Sequence, residues 1–221
     1  MSPPPTDYQD AWNRLAVTPE SALLHVAGYT DEAELKKATD ISLELLRLTI
    51  GIRPTDSILE IGCGVGRVGQ QLAPLVRRWI GCDVSPNMLK HAAQRLEGLS
   101  NVELVPISGY DLAPIADASL EAVYCTVVFM HLQEWDRYAY VREAHRVLKP
   151  GGRFFCDNAN LESAAGWEVF LASAAIPPDQ RPLHISRCST APELTRYLAK
   201  AGFQQVQTIC PGVWVIAWGV K

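Results

Sequence analysis

The sequence lacks long apolar runs, paired cysteines and any excess of basic residues. No apolar stretch approaches the roughly 20 residues that a helix needs to cross a bilayer, so we expect no membrane partner. The six cysteines are scattered and form no C-x-x-C pair, which argues against a zinc site. The net charge is −4, and no basic stripe offers itself to a phosphate backbone, so nucleic acid is not a favoured partner.

The first residues also lack the features of a signal peptide. Residues 1–7 contain three consecutive prolines but neither a basic region nor an apolar one. We expect an extended or disordered tail here, because proline fixes φ and removes a hydrogen-bond donor. Scattered cysteines are typical of small buried side chains in a reducing compartment. The sequence therefore predicts a cytoplasmic protein, and no pattern in it indicates an oligomeric state.

The most informative stretch is residues 58–69, which read Ile-Leu-Glu-Ile-Gly-Cys-Gly-Val-Gly-Arg-Val-Gly. Its first four residues are typical of the end of a buried strand, and an amphipathic segment follows the glycines at once. Glycine permits positive φ and lets a ligand approach the main chain closely. The following helix directs free N–H groups and the positive end of its dipole towards that ligand. The stretch therefore predicts a ligand-binding loop between a strand and a helix.

Strands and helices alternate along most of the chain, which predicts a parallel, doubly wound α/β sheet. Predicted strands cover 58–61, 79–83, 102–106, 120–128 and 153–157, and the clearest predicted helices cover 31–49, 133–148 and 191–201. The end of the chain departs from this alternation. Strands 203–209 and 213–220 are joined across Pro211-Gly212, and so short a connection permits only antiparallel pairing. The last strand is apolar on both faces, which places it inside the sheet.

Two interpretations of the glycine loop are open on spacing alone. Residues 64–69 match G-x-G-x-x-G, and Asp83 lies 19 residues after Gly64, as in a dinucleotide-binding enzyme. Glu60 favours another ligand, because a carboxylate just before the glycines repels pyrophosphate and attracts a cation. The glycine run also begins earlier, at Gly62, and the chain closes with an antiparallel hairpin instead of a second mononucleotide-binding half.

Together these features resemble the class I S-adenosylmethionine-dependent methyltransferases, in particular those acting on small molecules. The resemblance rests on segments 59–67, 81–86, 117–123 and 146–152, and it covers residues 31–221. It implies one Rossmann-like domain whose seven-stranded sheet has the order 3-2-1-4-5-7-6, with strand 7 antiparallel and helices on both faces. Residues 1–30 would then form an N-terminal tail and lid, and residues 158–190 a substrate-side insertion.

The resemblance also implies a cofactor, S-adenosylmethionine, which is converted to S-adenosylhomocysteine. The loop glycines Gly62, Gly64 and Gly66 would pass under its methionine and ribose. Glu60 would help to place its amino group, and Asp83 would accept both ribose hydroxyls, because an acceptor-only carboxylate fits a vicinal diol. Near the adenine we expect Gly109 and Tyr110 or its backbone, with Asp111 as the second choice; a surface-loop tyrosine is the alternative.

On the acceptor side, His131 follows strand 4 and is the best positioned candidate for a general base. Its alternative role, which we favour, is packing or capping of the next helix. His184 is a second candidate base in the insertion. Further candidates are residues that could contact the substrate or line the lid: Asp157, Asn158, Asn160, Trp12 and Tyr29.

The sequence thus predicts methyl transfer from S-adenosylmethionine to a small organic acceptor, at oxygen, nitrogen or carbon, by in-line displacement and without a metal. Two alternatives remain open. One is an NAD(P)-dependent oxidoreductase on the same fold. The other is a catalytically silent protein that binds the cofactor or a partner without turnover, since a fold does not establish chemistry.

Overall fold

The computed structural model describes residues 7–28 and 30–221, so the expectations for the proline-rich tail and for Tyr29 lie outside the described residues. The helices are α1 (Asp7–Leu15), α2 (Pro19–Ala27), α3 (Glu32–Thr49), α4 (Arg67–Leu72), α5 (Pro86–Arg95), α6 (Glu134–Val147), α7 (Ala164–Ala174) and α8 (Ala191–Ala201). The strands are β1 (Ser57–Ile61), β2 (Arg78–Asp83), β3 (Val102–Pro106), β4 (Leu120–Cys125), β5 (Leu148–Ala159), β6 (Gln204–Ile209) and β7 (Trp214–Val220).

The seven strands form one sheet in the order β3-β2-β1-β4-β5-β7-β6, as the sequence predicted. Strands β1 to β5 pair in parallel, whereas β7 runs antiparallel to both of its neighbours. Glu60 on β1 lies opposite Gly81 of β2 and Tyr124 of β4. The carboxyl ends of the three central strands therefore meet at one edge, which is where open α/β sheets bind ligands.

Helices cover both faces of this sheet. Side chains alternate along each strand, so Leu59 and Ile61 enter one core and Ile58 enters the other. The first core includes residues of α6 and α8, and the second includes residues of α3, α4 and α5. The cysteines of strands β2, β4 and β5 and of the glycine loop are buried free thiols, as expected for small apolar residues.

Two element boundaries differ from the sequence prediction. Strand β4 ends at Cys125 instead of residue 128, and Val127 beyond it takes a positive φ of 59°, outside the extended region of a regular strand. The sequence Lys149-Pro150-Gly-Gly predicts a turn that stops the helix, but strand β5 begins at Leu148, directly after α6, and includes this segment. A register shift opposite this segment, between residues 120 and 122 of β4, accommodates it.

Two side chains also differ from expectation. The helical spacing over 133–148 predicts an inward-facing Trp135, but this side chain is 66% exposed. The buried stripe of α6 runs instead through Arg137, Tyr140, Val141 and Ala144, and Trp135 lies off this stripe. At the start of α3, the acids that follow Thr30 predict it as the N-cap, but Asp31 takes this position, since its carboxylate accepts hydrogen bonds from two backbone N–H groups of the first turn.

The N-terminal helices α1 and α2 pack beside the carboxyl edge of the sheet. Asn13 of α1 anchors them there: its side-chain oxygen accepts from the Ser85 hydroxyl at 2.7 Å, and its backbone oxygen accepts from Asn87 at 3.1 Å. Within the described residues, no helix has the length and apolar character that a bilayer crossing requires.

Candidate functional site

A cavity lies at the carboxyl ends of β1, β2 and β4, where the sequence predicted the site. It has an empty volume of about 770 Å³, which includes space open to solvent. The glycine loop and strand ends form one side, and α1 and α2 contribute Tyr8, Trp12, His25 and Val26 to another. The cavity is thus enclosed between the sheet edge and the N-terminal helices.

The glycine loop could not carry side chains in its present shape. Gly62, Gly64 and Gly66 have φ values of 69°, 52° and 75°, a region that side-chain-bearing residues rarely adopt. A Cβ on Gly62 would come within 2.4 Å of the Val128 side chain, and one on Gly64 within 2.5 Å of Val26. Both Gly62 and Gly64 line the cavity, whereas Gly66 is the N-cap of α4. The loop therefore presents bare backbone to a ligand.

Asp83, at the end of β2, lines the cavity and fixes the loop. One carboxylate oxygen accepts from the Gly64 N–H at 2.8 Å, and the other accepts from the Ser85 N–H at 2.9 Å. Burial raises the pKa of Asp83 to about 6, against the effect of these backbone donors. Ser85 itself caps α5 through the Met88 N–H. Each carboxylate oxygen has a further lone pair, so Asp83 can still accept from a diol.

Glu60, at the end of β1, is buried and lines the cavity. Its Oε2 accepts a hydrogen bond from the Tyr124 hydroxyl at 2.6 Å, and that hydroxyl accepts from the Trp79 indole N–H at 3.0 Å. Burial raises the pKa of Glu60 to about 8, while the Tyr124 hydrogen bond and the charge of Arg67 act in the opposite direction.

Arg67 is a site residue to which sequence reasoning gave no role. It is 7% exposed, lines the cavity, and donates to the Thr39 hydroxyl at 3.3 Å. Its position directly after Gly66 could have indicated a role at the site, because the first turn of a helix that follows a ligand loop faces the ligand.

Tyr8 is a second site residue that the sequence did not indicate. Its hydroxyl donates to Asp136 at 2.9 Å, and nothing in the local sequence predicts this long-range contact.

The structure brings the two candidate histidines together but gives them different roles. His131 Nδ1 lies 2.7 Å from the backbone carbonyl of His184. Because a carbonyl only accepts, Nδ1 carries the proton and Nε2 keeps a free lone pair. Burial lowers the pKa of His131 to about 4, so the ring is neutral at physiological pH. The ring lines the cavity and packs edge-on against Trp12, with centroids 5.0 Å apart.

The segment expected near adenine lies partly in the cavity wall. Gly109 lines the cavity with a φ of 94°. Tyr110 is 39% exposed and packs against Tyr8, with ring centroids 5.4 Å apart. Asp111 accepts from the Ala113 N–H at 3.1 Å, which closes a local turn.

The three polar residues at the carboxyl end of β5 each support neighbouring chain segments. Asp157 accepts from the Val127 N–H at 2.6 Å and thereby holds the chain just after β4. Asn158 donates to the Ser189 hydroxyl at 2.7 Å. Asn160 accepts from the Glu162 N–H at 3.1 Å. Of these partners, Val127 lines the cavity, so the Asp157 contact supports the cavity wall.

The strand order with an antiparallel β7, the glycine loop and the two carboxylates at the ends of β1 and β2 define a class I methyltransferase fold. Residues 59–156 match a family model described as a methyltransferase domain. We therefore identify the chain as carrying a class I S-adenosylmethionine-dependent methyltransferase domain, with S-adenosylmethionine as its cofactor.

Individual relatives agree with this identification. The chain is 34% identical over 155 residues to a probable S-adenosylmethionine-dependent methyltransferase of Mycolicibacterium smegmatis, covering 69% of the chain and 53% of the relative. It is 34% identical over 111 residues to a ubiquinone biosynthesis O-methyltransferase of Xanthomonas oryzae, covering 49% and 45%. The solved structure of YcgJ from Bacillus subtilis superposes with a TM-score of 0.64 at 27% identity, covering 77% and 71%. The chain spans about half the length of the two curated relatives, those of Mycolicibacterium smegmatis and Xanthomonas oryzae.

The residues at the site fit this cofactor. S-adenosylmethionine carries a cationic amino group and a ribose diol. Glu60 and Asp83 place two carboxyl groups in the cavity wall, with the bare backbone of the loop between them. A Cβ at Gly62 or Gly64 would enter occupied space, so the close approach that the loop offers depends on glycine.

Proposed function

We propose that the protein transfers the methyl group of S-adenosylmethionine to a small, uncharged organic acceptor, at oxygen, nitrogen or carbon. When bound, the cofactor supplies an activated methyl group that leaves by in-line displacement. The observation that carries the proposal is the distribution of charge in the cavity. Among its described lining residues, the carboxyl and guanidinium groups belong to Glu60 of β1, Arg67 at the start of α4 and Asp83 at the end of β2.

The remaining wall supports an uncharged acceptor. It consists mostly of aromatic, imidazole and aliphatic side chains, among them Trp12, Val128 and His131. A charged acceptor would lose its hydration there without gaining a partner of opposite charge, which is costly. A hydroxyl or N–H group, in contrast, can donate to the free Nε2 of His131.

His131 would then hold the acceptor and take up its proton as the methyl bond forms. General-base catalysis contributes roughly 10²- to 10⁴-fold where the nucleophile carries a proton of high pKa. Because burial lowers the pKa of His131 to about 4, its lone pair is available across the physiological range, and the same shift makes it a weaker base than a free imidazole. This favours a hydrogen-bonding role over the packing role that the sequence suggested.

The N-terminal helices would act as the lid over this site. Val26 packs on the glycine loop, Trp12 packs on His131, and Tyr8 bonds to Asp136 at the start of α6. Enclosing donor and acceptor excludes water and strengthens the electrostatic interactions within the site. Positioning of the two reactants supplies most of the remaining barrier reduction.

The first test is ligand specificity. A ligand that binds the native state raises the melting temperature, so S-adenosylhomocysteine should raise it and NADH should not. Stabilisation by NADH alone would overturn the proposal in favour of an oxidoreductase.

The second test is turnover with methyl-labelled cofactor. One relative is named an O-methyltransferase of ubiquinone biosynthesis, so hydroxylated aromatic compounds are the first acceptor class. Each neutral phenol should be paired with its carboxylated and aminomethylated analogues. We expect label transfer to neutral members of the panel. Cofactor binding with no transfer to any acceptor class would support the silent binding protein instead.

A further inference from the structure

Tyr124 lies directly behind the carboxylate that faces the cofactor. It occupies β4 opposite Glu60 in the parallel pairing of β1 and β4. The residue is fully buried, and its hydroxyl is 2.6 Å from Glu60 Oε2 and 3.0 Å from Trp79 Nε1. Trp79 is fully buried as well, and it packs against Gly81 and Gly69 on either side.

The chemistry of these three groups fixes the direction of the hydrogen bonds. An indole N–H can only donate, so the Tyr124 hydroxyl must accept from Trp79. The single hydroxyl proton is then directed to Glu60. Burial raises the pKa of Tyr124 well above its usual value, so this proton is retained at any physiological pH. Within residues 7–28 and 30–221, the other Glu60 oxygen, Oε1, accepts no hydrogen bond.

We propose that Tyr124, supported by Trp79, is a positioning residue that favours the ionised form of Glu60 and directs its Oε1 to the amino group of the cofactor. The proposal rests on the function proposed above. A buried carboxylic acid tends to keep its proton, and a hydrogen bond donated to the carboxylate opposes this tendency. Among the other ionisable groups near Glu60, Arg67 favours its charged form and Asp83 disfavours it. The charge of Glu60 in turn raises the pKa of the Cys63 and Cys82 thiols.

The test compares Tyr124→Phe with the unchanged protein by calorimetric titration at pH 7. Two ligands are used: S-adenosylhomocysteine and its deaminated analogue, which lacks only the amino group. The variant should bind S-adenosylhomocysteine about ten-fold more weakly, as expected for loss of one hydrogen bond to a charged group. Affinity for the deaminated analogue should not change, because that ligand makes no use of Glu60.

The pH dependence gives a second readout that a purely structural role would not alter. Without its donor, Glu60 holds a proton more tightly, so raising the pH from 7 to 9 should recover part of the lost affinity. In a Glu60→Gln background, Tyr124→Phe should have no further effect on S-adenosylhomocysteine binding. Tyr138→Phe, which removes a hydroxyl bonded to Lys200 on the far side of α6, is the matched control and should bind like the unchanged protein.

The outcomes separate this proposal from the function itself. Unchanged affinity for S-adenosylhomocysteine in Tyr124→Phe, or an equal loss for both ligands, overturns the positioning role. Failure of the unchanged protein to bind S-adenosylhomocysteine overturns the proposed function. If Tyr124→Phe does not fold, site-specific Tyr124→3-fluorotyrosine keeps the hydroxyl. Its ¹⁹F resonance should shift with S-adenosylhomocysteine and stay in place with the deaminated analogue; a response to neither ligand, or to both, counts against the proposal.

Discussion

Asp83 shows how one carboxylate can serve both the backbone and a ligand. It holds Gly64 and Ser85 through their N–H groups and keeps lone pairs directed to the cavity. Asp83→Asn keeps the size of the side chain but replaces one acceptor oxygen by a donor amide. We expect S-adenosylhomocysteine affinity to fall by at least about ten-fold, since a hydrogen bond to a charged group is lost.

A cofactor analogue without the 2′-hydroxyl separates ribose recognition from loop distortion in this experiment. The unchanged protein should bind the 2′-deoxy analogue more weakly than S-adenosylhomocysteine, whereas Asp83→Asn should bind the two about equally. Equal discrimination by both proteins would remove the ribose role of Asp83.

His131 and His184 can be tested as a pair because His131 bonds to the backbone carbonyl of His184 and not to its ring. The His184 carbonyl orients His131, and His184→Ala keeps that carbonyl. We expect His131→Phe to lower kcat by roughly 10²- to 10⁴-fold with little change in cofactor affinity, and His184→Ala to retain most activity. Because the pKa of His131 is about 4, no inflection near pH 6.5 should arise from it. Equal activity loss in both variants would point to packing.

At the scale of elements, the end of β4 illustrates what local sequence could not predict. Residues 120–128 are mostly apolar, with Glu121 and Thr126 as the exceptions, which is typical of a buried strand. The strand nevertheless stops at Cys125, since Asp157, about 30 residues later, captures the Val127 N–H. A β-branched residue at positive φ costs about 1–2 kcal/mol, so tertiary contacts and not local preference set this boundary.

Replacing Val127 by glycine measures this strain. Val127→Gly relieves the unfavourable φ, which offsets the greater flexibility of glycine in the unfolded chain. We expect the free energy of unfolding to change by less than about 1 kcal/mol. Val123→Gly is the control: Val123 is fully buried within β4, and its replacement should cost roughly 3 kcal/mol or more. Similar losses at both positions in urea titrations would show that Val127 is unstrained.

Arg137 joins three segments that are distant in sequence. It is fully buried, and its guanidinium donates to the carbonyls of Phe129 and Leu132, to the 187–189 segment and to Glu193 of α8. It thereby ties the predicted insertion, 158–190, to the start of α6. A single arginine in a helix gives no sequence signal of such a role, because its partners are mostly backbone carbonyls.

We expect Arg137→Met to lower the free energy of unfolding by roughly 3–5 kcal/mol, since it leaves buried acceptors without their donor. The exposed Arg196 of α8 provides a matched change, and Arg196→Met should stay within about 0.5 kcal/mol of the unchanged protein. Urea unfolding measures both. A loss of less than about 1 kcal/mol in Arg137→Met would show that solvent replaces its contacts.

At the scale of the whole molecule, the topology followed from the sequence, while the enclosure of the site did not. The alternation of strands and helices predicted a parallel sheet and Pro211-Gly212 predicted an antiparallel hairpin, while the strand order came from the resemblance to class I methyltransferases; the structure confirms all three. The packing of α1 against α5 through Asn13 depends on polar contacts between residues about 70 positions apart. Such contacts have no periodicity, so sequence reasoning placed Trp12 near the lid without identifying its partner, His131.

The buried carboxyl groups of the site also affect the stability of the whole protein. Burial raises the pKa of Glu60 to about 8 and that of Asp157 to about 7. The folded protein therefore binds these protons more tightly than the unfolded chain, and stability falls as pH rises through those values. His131, His145 and His184 have lowered pKa values and act in the opposite direction, but only up to the unfolded value near 6.5.

The window from pH 7 to 8.5 therefore lies above the histidine range, and the carboxyl groups titrate there together with the onset of the buried thiols, whose unfolded pKa is about 8.5. In urea titrations without cofactor, the free energy of unfolding should decrease across this window, by at most roughly 1.4 kcal/mol per pH unit for each group. Saturating S-adenosylhomocysteine should reduce the decrease, because its amino group favours the ionised form of Glu60. Glu60→Gln removes one titrating group and should flatten the profile in the same way without any ligand. If the unchanged protein and Glu60→Gln show the same slope between pH 7 and 8.5, Glu60 is already ionised in the folded state, and the cofactor finds its carboxylate ready instead of displacing a proton from it.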